Sequence, residues 1–489
     1  MDVTVERRIS QAKECPIRFG TDGWRGIIAD EFTLDNVRTV SQALCLYLKE
    51  ENPSTFSSVP LIVGFDTRFM SDRFARLAAQ VAAGQGFKVL LSERASSTPS
   101  ISWAVKQHGA LGAVMITASH NPPKYNGFKV KADYAGSASP KITARIESFL
   151  PRVDRLFEES PAQPIQFFDP RPDYFAQLAH LVDIERILAA PLAVIADSMF
   201  GAGAGYLPAI LGKSDSFLRE INDRRDPYFG GINPEPIPQN LLLLSAEVKR
   251  ISNPLAVGLA FDGDADRIGA IDRDGSFISS HRILALLLRH LVEVKRWGGG
   301  VIKTVSTTRL VEKMTSRYGL PLYETPIGFK YICDLMRSED ILIGGEESGG
   351  IGIKNHMPER DGVLCGLLLL EIMATHGKSL GELVSELDSE YGAHQYSRID
   401  LHLRDNLLKE RVLKKLSIDR PSSIEGISVT DVSELDGIKF SLGNGGWLLF
   451  RASGTEPVLR IYAESPTMGE VESLLGFGKR LVQSEENGR

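Results

Sequence analysis

The chain has 489 residues, which is too long for one hydrophobic core and indicates about three or four domains. Hydrophobic residues make up 43% and charged residues 24%, the balance of an ordinary globular protein. The net charge of −6 argues against a nucleic-acid-binding protein but leaves room for a local basic pocket for an anionic substrate. The four cysteines form no Cys-x-x-Cys pair, so we expect neither a disulfide framework nor a structural zinc site.

The sequence shows no targeting or membrane signal. The stretch 1–16 is charged and lacks the apolar segment of a signal peptide. The longest apolar run, 363–374, contains Glu371 and is far too short to span a bilayer. We therefore expect a cytoplasmic protein in a reducing compartment, with neither a membrane nor a nucleic acid as its partner.

The first third of the chain alternates strands and helices. Short apolar runs predict strands at 60–65, 87–91 and 112–116, and helical periodicity predicts helices over 34–50 and 71–84. Such alternation is typical of parallel βαβ units and of a layered α/β fold. A stretch rich in proline and charge, 151–172, is the first plausible domain boundary.

Two further α/β rounds and a smaller mixed segment follow. The predicted elements are strands at 192–196, 257–261, 301–305, 341–343 and 447–450, and helices at 241–248, within 279–297, and at 307–318 and 363–375. The stretch 391–397 is predicted to be a linker. Each segment repeats one plan, in which an apolar strand runs into a loop rich in Gly, Asp or Ser.

The first such loop holds a serine. Ser119 lies in Thr-Ala-Ser-His-Asn-Pro directly after the strand 112–116, at the kind of strand end where doubly wound sheets bind ligands. A hydrolase nucleophile elbow would require glycines where Thr117 and Asn121 stand, and a base at the adjacent His120 would be poorly placed. A turn or N-cap role for Ser119 remains open at this point.

The second loop, Asp-Gly-Asp-Ala-Asp-Arg, places Asp262, Asp264 and Asp266 at alternating positions after a strand. Mg²⁺ prefers a few carboxylates together with a substrate phosphate, so this loop is a candidate metal site. An EF-hand is excluded, because Arg267 and Arg273 stand where its glycine and glutamate belong. Arg267 could hold a phosphate oxygen next to the metal. The alternative is a solvated acidic turn.

Three more loops have polar or charged side chains. Gly344–Gly350 combines glycines with carboxylates that could accept hydrogen bonds from sugar hydroxyls, although a surface turn is the alternative. Arg451 to Pro457, with Arg460, is typical of an anion site, and an N-cap with a salt bridge is its alternative. The loop 18–26 contributes Arg25 as a possible phosphate contact.

Two apparent nucleotide motifs fail on spacing. The glycines at 201, 203 and 205 are followed by Tyr206 where a dinucleotide fingerprint needs Gly or Ala. The Gly-Lys-Ser triplets at 212–214 and 377–379 lack the first glycine of a P-loop, so an ATP-dependent kinase has no support. Together, the remaining loops suit phosphoryl transfer between a serine and a polyhydroxylated phosphate ester.

The motifs Thr-Ala-Ser-His-Asn-Pro, Asp-Gly-Asp-Ala-Asp-Arg, Gly-Gly-Glu-Glu-Ser-Gly-Gly and Arg-Ala-Ser-Gly-Thr-Glu-Pro, preceded by Phe-Gly-Thr-Asp-Gly-Trp-Arg-Gly, resemble those of the α-D-phosphohexomutases in order and spacing. The resemblance implies an α/β protein of four domains around a central cleft. The first three are expected to have mixed sheets and the fourth to be a smaller α+β domain. We place them at 1–170, 171–278, 279–396 and 397–489.

The resemblance also assigns roles to residues. Ser119 would be the phosphorylated serine, and it would complete a Mg²⁺ site with Asp262, Asp264 and Asp266. The other expected active-site residues are Arg25, His120, Lys129 and Arg267, the last two flanking the transferring group. Expected substrate contacts are Glu346 and Ser348 to the sugar hydroxyls, Lys330, His356 and Arg360 nearby, and Arg451, Ser453, Gly454, Thr455 and Arg460 to the phosphate that is not transferred.

The implied reaction passes a phosphoryl group from Ser119 to a hexose phosphate and back, through glucose 1,6-bisphosphate. The loop Gly-Glu-Glu-Ser-x-Gly resembles the glucomutase version, whereas relatives acting on mannose or glucosamine usually have Met or Gln at 347 and His at 350. The sequence therefore favours a phosphoglucomutase that is a monomer or weak homodimer. A glucose 1,6-bisphosphate synthase, a dual-specificity phosphomannomutase and a non-catalytic sugar-phosphate sensor are the alternatives. Since Arg360 is a poor proton donor or acceptor, no general base is assigned.

Overall fold

The computed structural model describes residues 17–20, 22–153, 163–212, 217–452 and 457–486. Four sheets follow one another along the chain, and we number the domains that contain them 1 to 4. Domain 1 comprises β1 (Trp24–Ile27), α1 (Leu34–Glu51), β2 (Leu61–Phe65), α2 (Ser71–Gly84), β3 (Val89–Ser92), α3 (Thr98–His108), β4 (Gly112–Ile116), β5 (Tyr125–Ala132), α4 (Pro140–Phe149) and β6 (Ile165–Phe168). Its strand order is β1-β5-β4-β2-β3-β6, with β1 and β5 antiparallel to their neighbours.

Domains 2 and 3 also have mixed sheets. Domain 2 comprises α5 (Arg171–Leu181), α6 (Ile184–Ala189), β7 (Ala193–Asp197), α7 (Tyr206–Leu211), β8 (Leu218–Ile221), α8 (Leu242–Lys249), β9 (Ala256–Phe261), β10 (Ile268–Asp272) and β11 (Phe277–Ile278). Domain 3 comprises α9 (Ser280–Glu293), β12 (Gly300–Thr304), α10 (Leu310–Tyr318), β13 (Leu322–Thr325), α11 (Phe329–Ser338), β14 (Ile341–Gly345), β15 (Ile351–Ile353), α12 (Gly362–His376) and α13 (Leu380–Tyr391). Their strand orders are β11-β10-β9-β7-β8 and β13-β12-β14-β15.

Domain 4 has an antiparallel sheet. It comprises β16 (Gln395–His402), α14 (Asn406–Ile418), β17 (Ser423–Ile424), β18 (Ile427–Ser433), β19 (Ile438–Leu442), β20 (Trp447–Ala452), β21 (Val458–Ser465) and α15 (Met468–Glu486). The order is β16-β21-β20-β19-β18-β17, and every recorded strand pairing in it is antiparallel. The predicted fold class is therefore confirmed, with three mixed α/β sheets and a different fourth domain.

Burial of both faces explains the continuous apolar strands of domain 1. Val63 and Val114 pack against α1, α2 and α4, whereas Ile62 and Met115 face α3 on the other side of the sheet. That second core continues without interruption into domains 2 and 3, where it includes Val257 and most of α12. A parallel sheet covered on both faces needs apolar residues at successive positions, so its strands do not alternate.

Two predicted boundaries are wrong. The helix predicted from 307 begins only at Leu310, because the hydroxyls of Thr304 and Thr307 bond to each other at 2.8 Å and hold a turn after β12. The predicted linker 391–397 runs into β16, which begins at Gln395 and pairs with β21 over its whole length.

Within the described residues, no single helix is long and apolar enough to cross a membrane. The pair α12 and α13 passes by length and composition only when joined, and the two helices are bent by 80°. Nearly all of α12 is buried in the shared core, which accounts for its apolar character.

Candidate active site

The serine turn follows β4. Ser119 is buried and has a backbone φ of +52°, a left-handed conformation that is uncommon for a residue with a side chain. Its N–H donates to the Thr117 Oγ1 at 2.9 Å. Its hydroxyl donates to the Asp262 Oδ2 at 2.7 Å, so the turn aims Ser119 directly at the acidic loop of domain 2.

The acidic loop joins β9 to β10. One carboxylate oxygen from each of Asp262, Asp264 and Asp266 lies within 4.8 Å of the other two, and all three side chains are buried. Burial, and then repulsion from Asp264 and Asp266, raises the pKa of Asp262 well above its usual value. Gly263 is required here, because a Cβ would lie 2.5 Å from the Ser119 carbonyl oxygen.

This triad fits a hard divalent cation. Buried carboxylates repel one another unless a cation neutralises them. One oxygen each of Asp264 and Asp266, Oδ1 in both, has no hydrogen-bond partner among the described residues, although both atoms are buried. Oxygen donors in this number are typical of a Mg²⁺ site that also takes a phosphate oxygen.

Lys129, on β5, is the buried cation beside the triad. Its Nζ lies 2.8 Å from the Asp264 Oδ2, 3.2 Å from the Asp266 Oδ2 and 2.8 Å from the Asp22 Oδ2. Burial alone would lower its pKa, but Asp22, Asp264 and Asp266 outweigh burial and raise the pKa above its usual value. Lys129 is therefore a fixed positive charge.

Asp22 connects this lysine to Arg360 of domain 3. The Arg360 Nη2 lies 2.5 Å from the Asp22 Oδ2 and 2.8 Å from the Asp266 Oδ2. Burial opposes the ionisation of Asp22, yet Lys129, Lys131 and Arg360 hold its pKa well below the usual value. Side chains from three domains thus form one buried charge network at the serine.

Arg360 also reaches the loop Gly344–Gly350, which we call the sugar loop after its predicted role. Its Nη1 lies 3.4 Å from the Glu346 Oε2, and burial raises the pKa of Glu346 despite this contact. Ser348 is half-buried in the same loop. A Cβ on Gly350 would lie 2.3 Å from the Arg360 Cδ, so the arginine occupies the space that a larger residue at 350 would need.

The other predicted catalytic residues surround Ser119. The His120 Nδ1 is 3.4 Å from the Ser119 Oγ, at the outer limit of a hydrogen bond. Burial, and then Arg267 and Arg25, lowers the pKa of His120 well below its usual value. The Arg25 Nη1 donates to the Asn121 Oδ1 at 2.5 Å. Among the described residues, the carboxylates paired with the Arg267 guanidinium are distant, Glu235 at 3.8 Å and Asp266 at 3.9 Å, so the guanidinium could bind an anion.

Two predicted substrate residues have other surroundings. His356 stacks on Trp103 with ring centroids 5.3 Å apart, and its Nε2 lies 2.9 Å from the Asp361 Oδ2. These contacts hold His356 against domains 1 and 3, and no contact with Arg360 is recorded among the described residues. Lys330 lies near the first loop, lining a cavity of about 10 Å³ together with Gly20 and Asp22.

In domain 4, the two predicted phosphate-binding arginines face each other on β20 and β21. The Arg451 Nε donates to the Asp436 Oδ2 at 2.9 Å, and the Arg460 Nε lies 3.5 Å from the Asp400 Oδ2. Arg398 of β16 lies 4.0 Å from Glu347 and so links this sheet to the sugar loop. Ser453, Gly454 and Thr455 lie outside the described residues.

Three residues of the site were not predicted from the sequence. Asp22 stands inside a loop from which only Arg25 was selected. The Thr98 Oγ1 donates to the Asp264 Oδ2 at 2.6 Å, and Arg68 donates to the carbonyl oxygen of Ser119 at 2.5 Å. The position of Arg68, directly after a parallel strand, was a signal that could have identified it.

Four family models match the chain in order: the phosphoglucomutase/phosphomannomutase alpha/beta/alpha domains I, II and III over residues 16–156, 172–275 and 279–391, and the C-terminal domain over residues 410–476. Together they cover most of the sequence, with one model on each of the four sheets. The chain belongs to the phosphoglucomutase/phosphomannomutase family, as its motifs indicated.

Individual relatives agree over nearly the full length. A probable phosphoglucosamine mutase of Methanothermobacter thermautotrophicus is 32% identical, over 92% of this chain and 94% of its own. A phosphoglucomutase/phosphomannomutase of Thermococcus kodakarensis is 29% identical, over 96% and 99%. A crystal structure from Thermus thermophilus, assigned as a phosphomannomutase, has a TM-score of 0.84 at 36% identity and covers 96% of this chain and 99% of that chain. The protein is thus an enzyme of the phosphohexomutase class.

Proposed function

We propose that this enzyme interconverts glucose 1-phosphate and glucose 6-phosphate through a phosphoserine at Ser119 and a glucose 1,6-bisphosphate intermediate. The observation that carries the proposal is the hydrogen bond of 2.7 Å between the Ser119 hydroxyl and Asp262 within the buried acidic triad. A serine that carries a phosphoryl group needs positive charge close by, and this triad is built to supply it through a cation.

Mg²⁺, held by Asp262, Asp264 and Asp266, would neutralise negative charge on the phosphoryl group. The protein itself supplies two more cations on the same side. Lys129 is buried and held by Asp22, Asp264 and Asp266. Arg267 lacks a close carboxylate partner among the described residues and can bind phosphoryl oxygens with two N–H groups.

The protonation states of two neighbours suit different roles. The lowered pKa of His120 keeps its imidazole neutral at neutral pH, so it adds no positive charge beside Ser119 and can form a hydrogen bond as a neutral group. Lys129, whose pKa is raised, stays protonated and stabilises charge without exchanging its proton. We therefore assign the electrostatic role to Lys129 and a neutral, hydrogen-bonding role to His120.

The sugar loop supports glucose as the substrate. Glu346 and Ser348 would accept and donate hydrogen bonds to the hydroxyls of the ring. The Ser306 Oγ donates to the Glu347 Oε2 at 2.7 Å, which directs the second glutamate toward β12. Arg360 fills the space that a larger residue at position 350 would need. Arg451 and Arg460, with Ser453, Gly454 and Thr455, would bind the phosphate that is not transferred.

The direct test is an isomerisation assay with Mg²⁺ and a trace of glucose 1,6-bisphosphate. Glucose 1-phosphate, mannose 1-phosphate and glucosamine 6-phosphate are compared at equal concentrations, and release of bisphosphate is followed in parallel. We expect the highest kcat/KM with glucose 1-phosphate and no net release of bisphosphate. A preference for either other sugar, or stoichiometric release, would replace the proposed substrate or the proposed reaction.

Ser119→Ala should abolish the phosphoenzyme. Incubation with labelled glucose 1,6-bisphosphate should transfer one labelled phosphate to the wild-type protein and none to the variant. In the described chain, the only other hydroxyl that hydrogen-bonds to the triad is that of Thr98. Ser100→Ala is the matched control, since Ser100 is also buried but its hydroxyl donates to the Ser97 carbonyl. Stoichiometric labelling of Ser119→Ala would contradict the assignment.

A further inference from the structure

Arg68 is a buried cation directly behind the serine turn. It follows β2 in the sequence Asp66-Thr67-Arg68, and its side chain is fully buried. Its Nε lies 3.2 Å from the Asp66 Oδ2. A buried arginine is costly unless its donors are satisfied, so the identity of its partners shows what the residue is for.

The remaining donors of Arg68 all bind the serine turn. The Nη2 group donates to the carbonyl oxygens of Ser119 and Asn121 at 2.5 and 2.6 Å. The Nη1 group donates to those of Pro122 and Tyr125 at 3.0 and 3.1 Å. Four carbonyl groups of one short loop therefore converge on a single guanidinium.

These hydrogen bonds restrain the backbone of Ser119. A residue with a side chain pays a conformational cost in the left-handed region, and Ser119 is held there at φ +52°. Because its carbonyl is bound by Arg68, the peptide cannot rotate without breaking a charge-assisted hydrogen bond. The same bonds turn the negative ends of four peptide dipoles toward the guanidinium.

Domain 2 holds Arg68 from the other side. The ring of Phe229 lies under the guanidinium, with 4.8 Å between its centroid and the Cζ. The neighbouring Thr67 Oγ1 donates to the carbonyl oxygen of Phe200 at 2.8 Å. The residue that shapes the serine turn is thus fixed to the domain that carries the acidic triad.

We propose that Arg68 is the positioning residue for phosphoryl transfer, holding the Ser119 backbone so that its hydroxyl meets the acidic triad, and fixing the serine turn of domain 1 to domain 2. This inference rests on the proposed function of Ser119. It assigns Arg68 no contact with the substrate, so its loss should affect the transfer step more than the binding of hexose phosphate.

The test compares Arg68→Gln and Arg68→Lys with the wild-type enzyme. Lysine keeps the charge, but it cannot reach four carbonyl groups with one ammonium. A misplacement of about 1 Å can cost about a hundredfold in rate, and we expect a loss of that order in kcat for both variants, with KM changed less than threefold. The rate of Ser119 labelling by glucose 1,6-bisphosphate should fall in parallel.

A second readout does not depend on activity. Amide hydrogen exchange over residues 118–125 should increase in both variants, while exchange in α12 and the thermal midpoint of Arg68→Lys stay close to the wild-type values. Arg225→Ala is the control, because Arg225 donates to the carbonyls of Thr67 and Arg68 from an exposed position but does not contact the serine turn. Its labelling rate should be unchanged.

The outcomes separate the inference from the function on which it rests. If wild-type protein does not label, the proposed function fails. If wild-type protein labels, and Arg68→Lys folds and labels at the same rate, Arg68 is only a structural arginine. The same conclusion follows if KM rises by as large a factor as kcat falls. Should Arg68→Gln fail to fold, Arg68→Lys and the exchange measurement decide alone.

Discussion

The two charged regions of the site are built in different ways. At the serine turn, Lys129 and the three carboxylates of the acidic triad are completely buried, and domains 1, 2 and 3 all contribute charges. In domain 4, the side chains of Arg451 and Arg460 are 18% and 33% exposed and pair with carboxylates of their own domain. The first region is a fixed electrostatic environment, whereas the second holds partly exposed arginines in ion pairs that, under the proposed function, an incoming phosphate would replace.

The hydrophobic packing around the two regions also differs. One continuous hydrophobic core runs through domains 1, 2 and 3, but domain 4 has a core of its own. A small cluster that includes Val305, Trp447 and Tyr462 joins it to domain 3. Under the proposed function, we expect phosphoryl transfer to depend on preorganisation, and phosphate recognition to depend on a domain with its own core.

The largest effect is expected where the buried network loses its lysine. Lys129→Met leaves Asp22, Asp264 and Asp266 without their ammonium partner, and such a loss typically costs about 3–5 kcal/mol. We expect kcat to fall about a hundredfold or more. Added Mg²⁺ should raise the thermal midpoint of the variant more than that of the wild-type protein, since the cation replaces part of the missing charge.

Lys303→Met provides the matched control for this prediction. Lys303 is also buried and pairs with two carboxylates, Glu312 at 2.6 Å and Glu324 at 3.2 Å, away from the triad. Its loss should destabilise the protein without any change in the response to Mg²⁺. If Mg²⁺ shifts the midpoints of Lys129→Met and wild type equally, the ammonium and the cation do not share one site.

A smaller effect, and a different one, is expected in domain 4. Arg451→Gln should raise KM for glucose 1-phosphate about ten- to a hundredfold, the range of a lost hydrogen bond to a charged group. It should leave kcat within about threefold, because uniform binding acts on KM alone. Steady-state kinetics with saturating bisphosphate measure both parameters.

Arg404→Gln is the control here, since Arg404 is exposed in the same domain and pairs with its neighbour Asp405. It should behave as wild type. A drop in kcat without a change in KM for Arg451→Gln would contradict the distinction between the two regions, because it would place Arg451 in the transfer step.

The sequence predicted the transfer region better than its connections. Ser119 and the acidic triad each follow a strand, and ligands bind at strand ends in doubly wound sheets, so their positions could be predicted. The structure brings them together. Asp22 and Arg68 act through contacts between residues 51 or more positions apart, as in the bonds from Arg68 to the Ser119 and Asn121 carbonyls. The strand end marks the position of Arg68, but no local pattern reports which residues it binds. Arg360 was selected, but its bonds to Asp22 and Asp266 required the domain arrangement.

Boundaries failed where side chains competed with the backbone. The helix predicted from 307 starts late because Thr304 and Thr307 bond to each other. The start of β16 was missed because its exposed face is polar and only three of its eight residues, Tyr396, Ile399 and Leu401, are apolar or aromatic. Pairing with β21 across the sheet, rather than local propensity, fixes that strand.

The smallest expected effect is on the pH dependence of stability, at the junction of domains 3 and 4. His281, at the start of α9, lies with its ring centroid 4.2 Å from that of Tyr396 on β16, and 4.0 Å from the Glu464 carboxylate. Burial lowers its pKa to about 4, although Glu464 and Glu347 oppose the shift and Arg282 and Lys303 add to it. Between the pKa of an unfolded histidine, ~6.5, and the pKa of native His281, the histidine is protonated in the unfolded chain but neutral in the native protein. Stability should therefore fall as the pH falls through that window.

His281→Gln removes this proton uptake, so its free energy of unfolding should fall less than that of the wild-type protein between pH 7.5 and 5, by about 1 kcal/mol or more. Denaturant titration at both pH values measures the difference, with His402→Gln, an exposed change on β16, expected to match wild type. Hydrogen exchange at pH 5 adds the location. If the junction is the weaker attachment, protection should drop first in β16 and later in α12. Loss of protection in α12 before β16 would show that domain 4 is held as firmly as the shared core.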